Sequence, residues 1–141
     1  MMIKKILRIV FIEAPAELYL FWLSYFALGW GVLLFVNKDV LLSSSSYQVF
    51  QAFNLEPMTW LLIYAGVGLF GIYSCLVKNK KVIQFAVLLL LMLWSFTVYC
   101  FILASGTIGT GSFVYSSFAL LSAWTYLRVG NHSFQSALWN G

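Results

Sequence analysis

The sequence predicts an all-α integral membrane protein: an antiparallel bundle of four transmembrane helices, preceded by an amphipathic interfacial helix. Of its 141 residues, 62% are hydrophobic and 9% are charged, whereas about 25% are charged in a typical soluble chain. A domain this small cannot hide so much apolar surface from water, and its mean hydropathy is +0.92. The composition therefore excludes a soluble monomer and a disordered chain, since disorder requires low hydrophobicity and high charge.

Four long apolar runs without charged residues in their interiors predict the transmembrane helices. At about 1.5 Å per residue, the shortest of them covers roughly 31 Å, which is close to one hydrocarbon thickness. They lack the alternation of a barrel strand, because the segment 87–93 is apolar on every side. Within a transmembrane domain of residues 15–128, the predicted spans are residues 16–36, 57–77, 82–104 and 107–127.

Ahead of the first span, residues 1–14 predict a basic amphipathic helix. Its apolar residues recur at helical spacing and form one face, and its basic residues Lys4, Lys5 and Arg8 lie outside that face. Such a helix lies on an anionic leaflet, so these three cations are predicted to bind the cytoplasmic membrane surface. The alternative is that the segment simply extends the first span into the headgroups. The apolar residues are Ile3, Ile6, Leu7, Val10 and Phe11.

The connections between the spans are short, with one exception. Residues 78–81 predict a tight hairpin, and the glycine-rich segment 105–111 predicts a turn that allows the fourth span to begin several residues later. Only residues 37–56 are long enough for structure of their own. There Val49, Phe50 and Phe53 share one helical face, which predicts a short helix lying on the surface.

The basic residues predict the orientation. Seven of the eight Lys and Arg residues precede the first span, follow the fourth, or lie between the second and third. The exception is Lys38. By the positive-inside rule, both termini are predicted to be cytoplasmic, with residues 129–141 as a polar cytoplasmic tail.

The sequence contains no pattern that predicts catalysis, a cofactor or a bound metal. The single histidine, His132, has no cysteine or carboxylate near it in sequence, and a metal site needs three or four ligands. Nucleophile, zinc-protease and phosphate-loop motifs are absent. Cys75 and Cys100 are predicted near opposite ends of their helices, too far apart for a disulfide. We expect no enzyme activity, no cofactor and no nucleic-acid partner.

Glu13 and Glu17 lie one helical turn apart at the start of the first span and form a possible titrating pair. An acid within a membrane usually has a function, and small multidrug transporters also have four helices and a glutamate in the first. Glu17, however, lies at the edge of its span, where a carboxylate interacts favourably with the helix dipole. Interfacial acids are therefore the favoured interpretation, and a transporter is the weaker one.

Small residues recur on one face of each predicted span, where they allow helices to approach closely in lipid. Contact within one bundle is the default interpretation for the first three spans, whereas contact with a second copy is the hypothesis for the fourth. On that hypothesis, Ala119→Leu combined with Ala123→Leu abolishes self-association. The predicted packing or oligomer residues are Ala27, Gly31, Gly68, Gly71, Ser112, Ser116, Ala119 and Ala123.

The chain resembles a group of small bacteriophage and prophage membrane proteins. The resemblance rests on Glu13-Ala14-Pro15-Ala16, Trp30-Gly31, Tyr47 with Glu56-Pro57, Trp94, and the segment from Tyr115 through Ala119 to Arg128. It implies a phage-encoded protein of the host inner membrane with no catalytic residue. Some such proteins are holins, which oligomerise and open the membrane. This chain differs from the commonest holins, which have one to three spans and a strongly basic tail.

Two functional hypotheses follow. In the first, the protein is a holin-like membrane effector that acts by helix–helix self-association as a homo-oligomer. In the second, it is an accessory or regulatory subunit that docks on a larger host or viral membrane complex through residues 37–56 or the basic amino-terminal helix.

Overall fold

The computed structural model describes residues 2–8, 16–77, 79–106 and 109–130. Within these ranges, 92% of the residues are helical and no strand occurs, which confirms the all-α prediction. The helices are α1 (Met2–Arg8), α2 (Ala16–Val36), α3 (Lys38–Ser43), α4 (Gln48–Ala52), α5 (Pro57–Val77), α6 (Lys80–Ser105) and α7 (Thr110–Gly130). A single 3₁₀ turn, Ser45–Tyr47, separates α3 from α4.

Three of the helices in the described ranges, α2, α5 and α6, are long and apolar enough to cross a membrane. The helix α7 has the same length as α2, 21 residues, but is not among these three. Its sequence contains several Gly, Ser and Thr residues, which lower its hydropathy. The described ranges thus contain three helices that could span a membrane, which fits membrane insertion.

The helix ends are set by local backbone chemistry. The helices α2 and α5 have the same bounds as the first two predicted spans. The helix α6 begins after Asn79, whose side chain accepts a hydrogen bond from the Lys81 amide at 3.0 Å, and it ends at Gly106, whose φ of 66° lies in the left-handed region that glycine tolerates. The helix α7 begins and ends three residues later than the fourth predicted span. Of the predicted helix 1–14, the structure describes α1, and residues 9–14 lie outside the described residues.

The long helices pack as antiparallel neighbours along the chain. Gly31 of α2 lies against Tyr64 of α5, and Ser24, one helical repeat earlier, lies against Gly68 and Gly71. Later in the chain, Trp94 of α6 packs against Tyr115 and Phe118 of α7.

The first and last of the long helices, α2 and α7, also pack against each other. Phe26 of α2 stacks on Phe118 of α7 with 4.9 Å between ring centroids, and Trp30 lies 5.0 Å from Tyr115. Since α5 also packs on α6, each of the four long helices has two of the others as neighbours.

Residues 37–56, which we call the cap, fold across the carboxyl-terminal part of α6 and the start of α5. Phe50 is the centre of the cap: it is 1% exposed and lies within ring-contact distance of Trp60, Phe96 and Phe101. The short helix α4 forms within the predicted segment but ends at Ala52. Phe53 thus lies beyond the end of α4 and does not share a buried face with Phe50 as predicted. Phe50 is buried, whereas Phe53 is 51% exposed.

One side chain in the cap also forms hydrogen bonds with carbonyl oxygens of the cap backbone. The Gln51 side-chain amide donates hydrogen bonds to the carbonyl oxygens of Leu41, at 2.9 Å, and Ser44, at 3.0 Å. These two bonds join α4 to α3 and to the 3₁₀ turn. The cap is consequently a folded unit held by one amide and one buried aromatic ring.

Candidate functional site

The helices α2 and α5 meet at a contact so close that three of their glycines, Gly31, Gly68 and Gly71, cannot be replaced without movement. A Cβ atom on Gly68 would lie 2.6 Å from the Ser24 carbonyl oxygen and 2.7 Å from the Leu28 nitrogen. A Cβ atom on Gly31 would lie 2.9 Å from the Tyr64 Cβ atom. Gly71 faces the Ser24 side chain in the same way.

This contact accounts for the predicted small residues of the first two spans. Gly31, Gly68 and Gly71 line it, and Ala27, also on α2, is fully buried. These residues are thus used inside the chain, where they let two helix backbones approach closely.

The predicted stripe of α7 is placed differently, because it lies at the flank of the buried face. Ser112 is 3% exposed, whereas Ser116, Ala119 and Ala123 are half-buried. Ala119 packs against the core of the chain. The Ser116 hydroxyl donates a hydrogen bond to the Ser112 carbonyl at 2.6 Å, so its own polarity is satisfied within α7.

A row of large apolar side chains runs beside this stripe. Phe113, Leu120 and Leu127 are 69%, 72% and 44% exposed. Leu120 is four residues after Ser116, and residues four apart are neighbours on a helix surface. The flank of α7 therefore combines half-covered small residues with exposed large ones.

A groove lies between α2 and α7, and we call it the aromatic groove. Its volume is about 640 Å³, within the range of about 300–1,000 Å³ that is usual for small-molecule sites. Gly29 lies at its α2 wall, where a Cβ atom would meet nothing within 4 Å. The lining is almost entirely apolar, and its rings are Tyr25, Phe26, Trp30, Trp94, Tyr115 and Phe118.

Two residues that line the aromatic groove, Trp30 and Trp94, have a buried indole N–H without a hydrogen-bond partner among the described residues. Trp94 is 1% exposed, and its indole N–H has no hydrogen-bond partner among the described residues. Its ring lies parallel to that of Tyr115, with an interplanar angle of 7° and 5.9 Å between centroids. A buried donor of this kind normally finds an acceptor.

Several buried hydroxyl groups are satisfied within one helix or between two. The hydroxyls of Tyr64 and Thr97 lie 2.6 Å apart, and Thr97 also donates to the Leu93 carbonyl at 2.8 Å. On α7, the Ser122 and Thr125 hydroxyls donate to carbonyls of their own helix. Nothing in the sequence predicts these hydrogen bonds, since an isolated hydroxyl in an apolar helix has no periodicity that indicates its partner.

At the end of the molecule opposite the cap, α2, α5 and α7 come together. The Cys75 thiol lies 3.7 Å from the Glu17 carbonyl oxygen, and the Arg128 guanidinium lies 5.9 Å from the centroid of the Tyr19 ring. The Glu17 side chain is exposed. Its predicted titrating partner, Glu13, lies outside the described residues, so the pair itself stays a prediction.

The predicted membrane-binding cations are exposed in α1. Lys4, Lys5 and Arg8 all face solvent, but so do Ile3 and Ile6, which are 72% and 52% exposed. In α1 the apolar side chains are thus available to a membrane along with the basic ones.

No metal-binding cluster of three or more His, Cys, Asp or Glu residues occurs in the described ranges. His132 lies outside them. Cys75 and Cys100 are both free thiols, which agrees with the predicted lack of a disulfide between them.

Comparison of the chain with models of protein families, with characterised proteins and with solved structures found no match.

Proposed function

We propose that the protein is a non-enzymatic, phage-type protein of the bacterial inner membrane that acts by self-association of its helices in the bilayer, in the manner of a holin. The observation that supports this proposal is the half-covered stripe of α7. The small residues of α2 and α5 are occupied within the chain, whereas Ser116 and Ala123 are only half-buried and border the exposed Leu120 and Leu127.

The stripe suits a second copy for a physical reason. In lipid, the surrounding tails are as apolar as a leucine side chain, so close packing rather than burial from water holds helices together. A flank with small residues beside large ones offers holes and knobs to the same flank of a second molecule. A self-complementary patch of this type is what a two-fold dimer requires.

The proposal includes four transmembrane helices with both termini in the cytoplasm. The packing of α7 against α2 and α6 supports the fourth span, and its 21 residues cover about 31 Å at the helical rise of about 1.5 Å. In this topology the cap lies outside, and the exposed Lys80 and Lys81 lie inside. Lys4, Lys5 and Arg8 then contact the anionic inner leaflet.

A matched pair of substitutions on α7 tests self-association. Ser116→Leu places a bulky side chain on the stripe, and Ser117→Leu places the same side chain on the adjacent exposed face. Both serines donate a hydrogen bond to the carbonyl four residues earlier, so the local loss is equal. We expect Ser116→Leu to weaken self-association about tenfold or more through overpacking, and Ser117→Leu to leave it unchanged.

The measurement is the distribution of oligomers in lipid bilayers, counted by single-molecule photobleaching at several protein-to-lipid ratios. Thermal unfolding of both variants is the control for folding. Equal oligomer size in wild type and Ser116→Leu would contradict this interface. The pair is sharper than Ala119→Leu with Ala123→Leu, because Ala119 packs against the core and a larger side chain there also disturbs the monomer.

The functional consequence is tested by induced expression in bacteria. A holin-like effector causes a timed collapse of membrane potential, and Ser116→Leu delays or prevents it whereas Ser117→Leu does not. Harmless accumulation of the wild-type protein would contradict the effector proposal.

A second candidate function is that of an accessory subunit which docks on a larger membrane complex. It is favoured by the outer face of the cap, where Val40, Leu42 and Phe53 are 48%, 57% and 51% exposed. Co-purification of a host or viral complex that is lost with Leu42→Ser would support it. An ion-coupled transporter is not favoured, because every Asp, Glu and Lys residue in the described ranges is exposed.

A further inference from the structure

We infer that the cap is seated in the bilayer, and that its exposed apolar face, formed by Val40, Leu42 and Phe53, contacts the acyl chains of the leaflet on that side. These three side chains are 48%, 57% and 51% exposed. Of the proposed topology, this placement needs only that α5 and α6 cross the membrane, and it is independent of self-association. The partner of the face is thus a lipid surface.

The contacts of Phe53 indicate its depth. Its ring centroid lies 5.6 Å from that of Phe96 on α6 and 6.0 Å from that of Trp60 on α5. Both helices are long and apolar enough to cross a membrane. Phe96 is nine residues before the end of α6 at Ser105. Trp60 is three residues after the start of α5 at Pro57. The Phe53 ring therefore lies beside the two helices and not beyond their ends.

The length of α6 relates this depth to the hydrocarbon layer. Its 26 residues cover about 39 Å at a rise of about 1.5 Å per residue, which exceeds a hydrocarbon thickness of about 30 Å by about 9 Å. At the same rise, Phe96 is about 13 Å from the end of α6. Even with all the excess length at the cap, Phe96 is inside the hydrocarbon layer. The Phe53 ring, in contact with it, is then at the boundary of that layer or deeper.

The distribution of charge in the cap suits this depth. Residues 40–55 contain no charged side chain, and the charged residues of the cap, Lys38, Asp39 and Glu56, are at its two ends. A charged group in the hydrocarbon layer costs free energy, whereas uncharged side chains such as those of residues 40–55 can enter its boundary. A segment in water has no such restriction.

Several polar groups of the cap backbone are hydrogen-bonded within the cap. The amides of Tyr47, Phe53 and Asn54 donate to carbonyl oxygens of the cap at 3.0–3.3 Å, and the Gln51 side chain donates to two carbonyl oxygens. Non-helical backbone at membrane depth is tolerated only where its polar groups find partners in the protein or in water. These bonds supply such partners where the chain leaves the long helices.

The exposed apolar side chains continue from the cap into α5. Leu55 precedes this helix, Met58 and Leu62 belong to it, and they are 38%, 49% and 66% exposed. In a bilayer that α5 crosses, the exposed apolar side chains of the helix face lipid. The Phe53 ring packs on Trp60, between Met58 and Leu62 in sequence. This continuity identifies lipid as the occupant of the cap face.

The test measures the depth of single labelled residues. In a chain with Cys75→Ser and Cys100→Ala, the variants Phe53→Cys, Asp39→Cys and Leu69→Cys each carry one fluorescent label in phosphatidylcholine vesicles. Leu69, 56% exposed in the middle of α5, is the reference for hydrocarbon, and the exposed Asp39 is the reference for water. One quencher is phospholipid brominated on its acyl chains, and the other is iodide on both sides of the vesicles.

We expect the label at Phe53 to lose most of its emission to the brominated lipid, as the label at Leu69 does, and little to iodide. The label at Asp39 is expected to show the reverse. Because the face carries no charge, its quenching by lipid is expected to be equal at low and high salt. Thermal unfolding is the control for folding, and Leu42→Cys reports the same face if a label at Phe53 disturbs the cap.

The outcomes separate this placement from the proposed function. Quenching of the Phe53 label by iodide as strongly as the Asp39 label would overturn the inference, since the cap would then lie in water. Protection of Phe53 from both quenchers would also overturn it, because a protein partner would then cover the face. Failure of brominated lipid to quench the Leu69 label would contradict the proposed function as well. Ser116→Leu is expected to leave lipid quenching at Phe53 unchanged, whether or not it alters the oligomer.

Discussion

At the scale of single residues, the hydrogen atom that serves as a glycine side chain determines how closely α2 and α5 approach. Gly68 meets backbone atoms of Ser24 and Leu28, which cannot rotate away as a side chain could. On the same helix, Gly66 has nothing within 4 Å of its Cβ position. A methyl group added at Gly68 is therefore expected to lower the stability of the protein, whereas one added at Gly66 is not.

We predict opposite effects for these two glycines. Gly68→Ala is expected to lower the free energy of unfolding by up to about 2 kcal/mol, because an overpacking cost of about 1–3 kcal/mol is offset only in part by a gain in helix propensity of about 1 kcal/mol. Gly66→Ala, with no such contact, is expected to leave the free energy unchanged or to raise it by up to about 1 kcal/mol.

The measurement is reversible unfolding by sodium dodecyl sulfate in mixed micelles, followed by helical circular dichroism. The same loss of stability in both variants would show that propensity or lipid contact, and not the approach of α2 to α5, determines the effect.

At the scale of elements, the cap shows how a connection can fold by itself on a membrane protein. Its backbone is not part of one long helix, so some of its carbonyl oxygens accept hydrogen bonds from a side chain: Gln51 donates to Leu41 and Ser44. The Phe50 ring packs the segment against Trp60 and α6. Burial also raises the pKa of the Tyr47 phenol, consistent with its ring lying among those of Phe50 and Phe101.

We predict that Gln51→Ala loosens the cap without unfolding the long helices. Two hydrogen bonds of about 0.5–1.5 kcal/mol each are lost, so transient opening becomes about tenfold or more frequent. Hydrogen–deuterium exchange of residues 37–56 measures this opening. Gln48→Ala is the matched control, since Gln48 is exposed and its side chain bonds no described carbonyl. Equal exchange in both variants would mean that Phe50 alone holds the cap.

At the scale of the whole molecule, the helices form a continuous apolar surface with aromatic side chains on several sides. Trp22, Tyr25 and Phe26 of α2 are 47%, 52% and 43% exposed, which suits contact with hydrocarbon and not with water. The core beneath is held by ring contacts and by short hydroxyl bonds such as that between Tyr64 and Thr97. The molecule thus has a largely apolar inside and outside, and its described charged residues lie near or beyond the ends of the long helices.

We predict that α7 crosses the membrane, which is the point that decides between three and four spans. In a variant with Cys75→Ser and Cys100→Ala, single cysteines at Ser45, Gly109, Lys81 and Ser136 report the side of each position. A membrane-impermeant maleimide added to intact cells is expected to label Ser45→Cys and Gly109→Cys. Lys81→Cys and Ser136→Cys are expected to react only after permeabilisation. Labelling of Ser136→Cys in intact cells would place the fourth helix outside the bilayer.

The sequence by itself determined the helical class and the ends of α2 and α5, and it indicated the turns on either side of α6. These features depend only on residues close in sequence, so they can be predicted without knowing the tertiary contacts. They are the apolar composition, Pro57 at a helix start, and Asn79 and the glycines near 106 at turns. The local hydrogen bonds of Asn79 and Gly106 agree with these boundaries.

Only the tertiary structure decided which faces meet. A helix that is apolar on every side has no periodicity to distinguish protein from lipid, because both contacts are equally apolar. The sequence could therefore predict the small residues Gly68 and Ser116 together, but the fold buries one against a backbone and leaves the other half-covered. For the same reason the aromatic groove, built by three helices around Trp94, became visible only when distant segments were brought side by side.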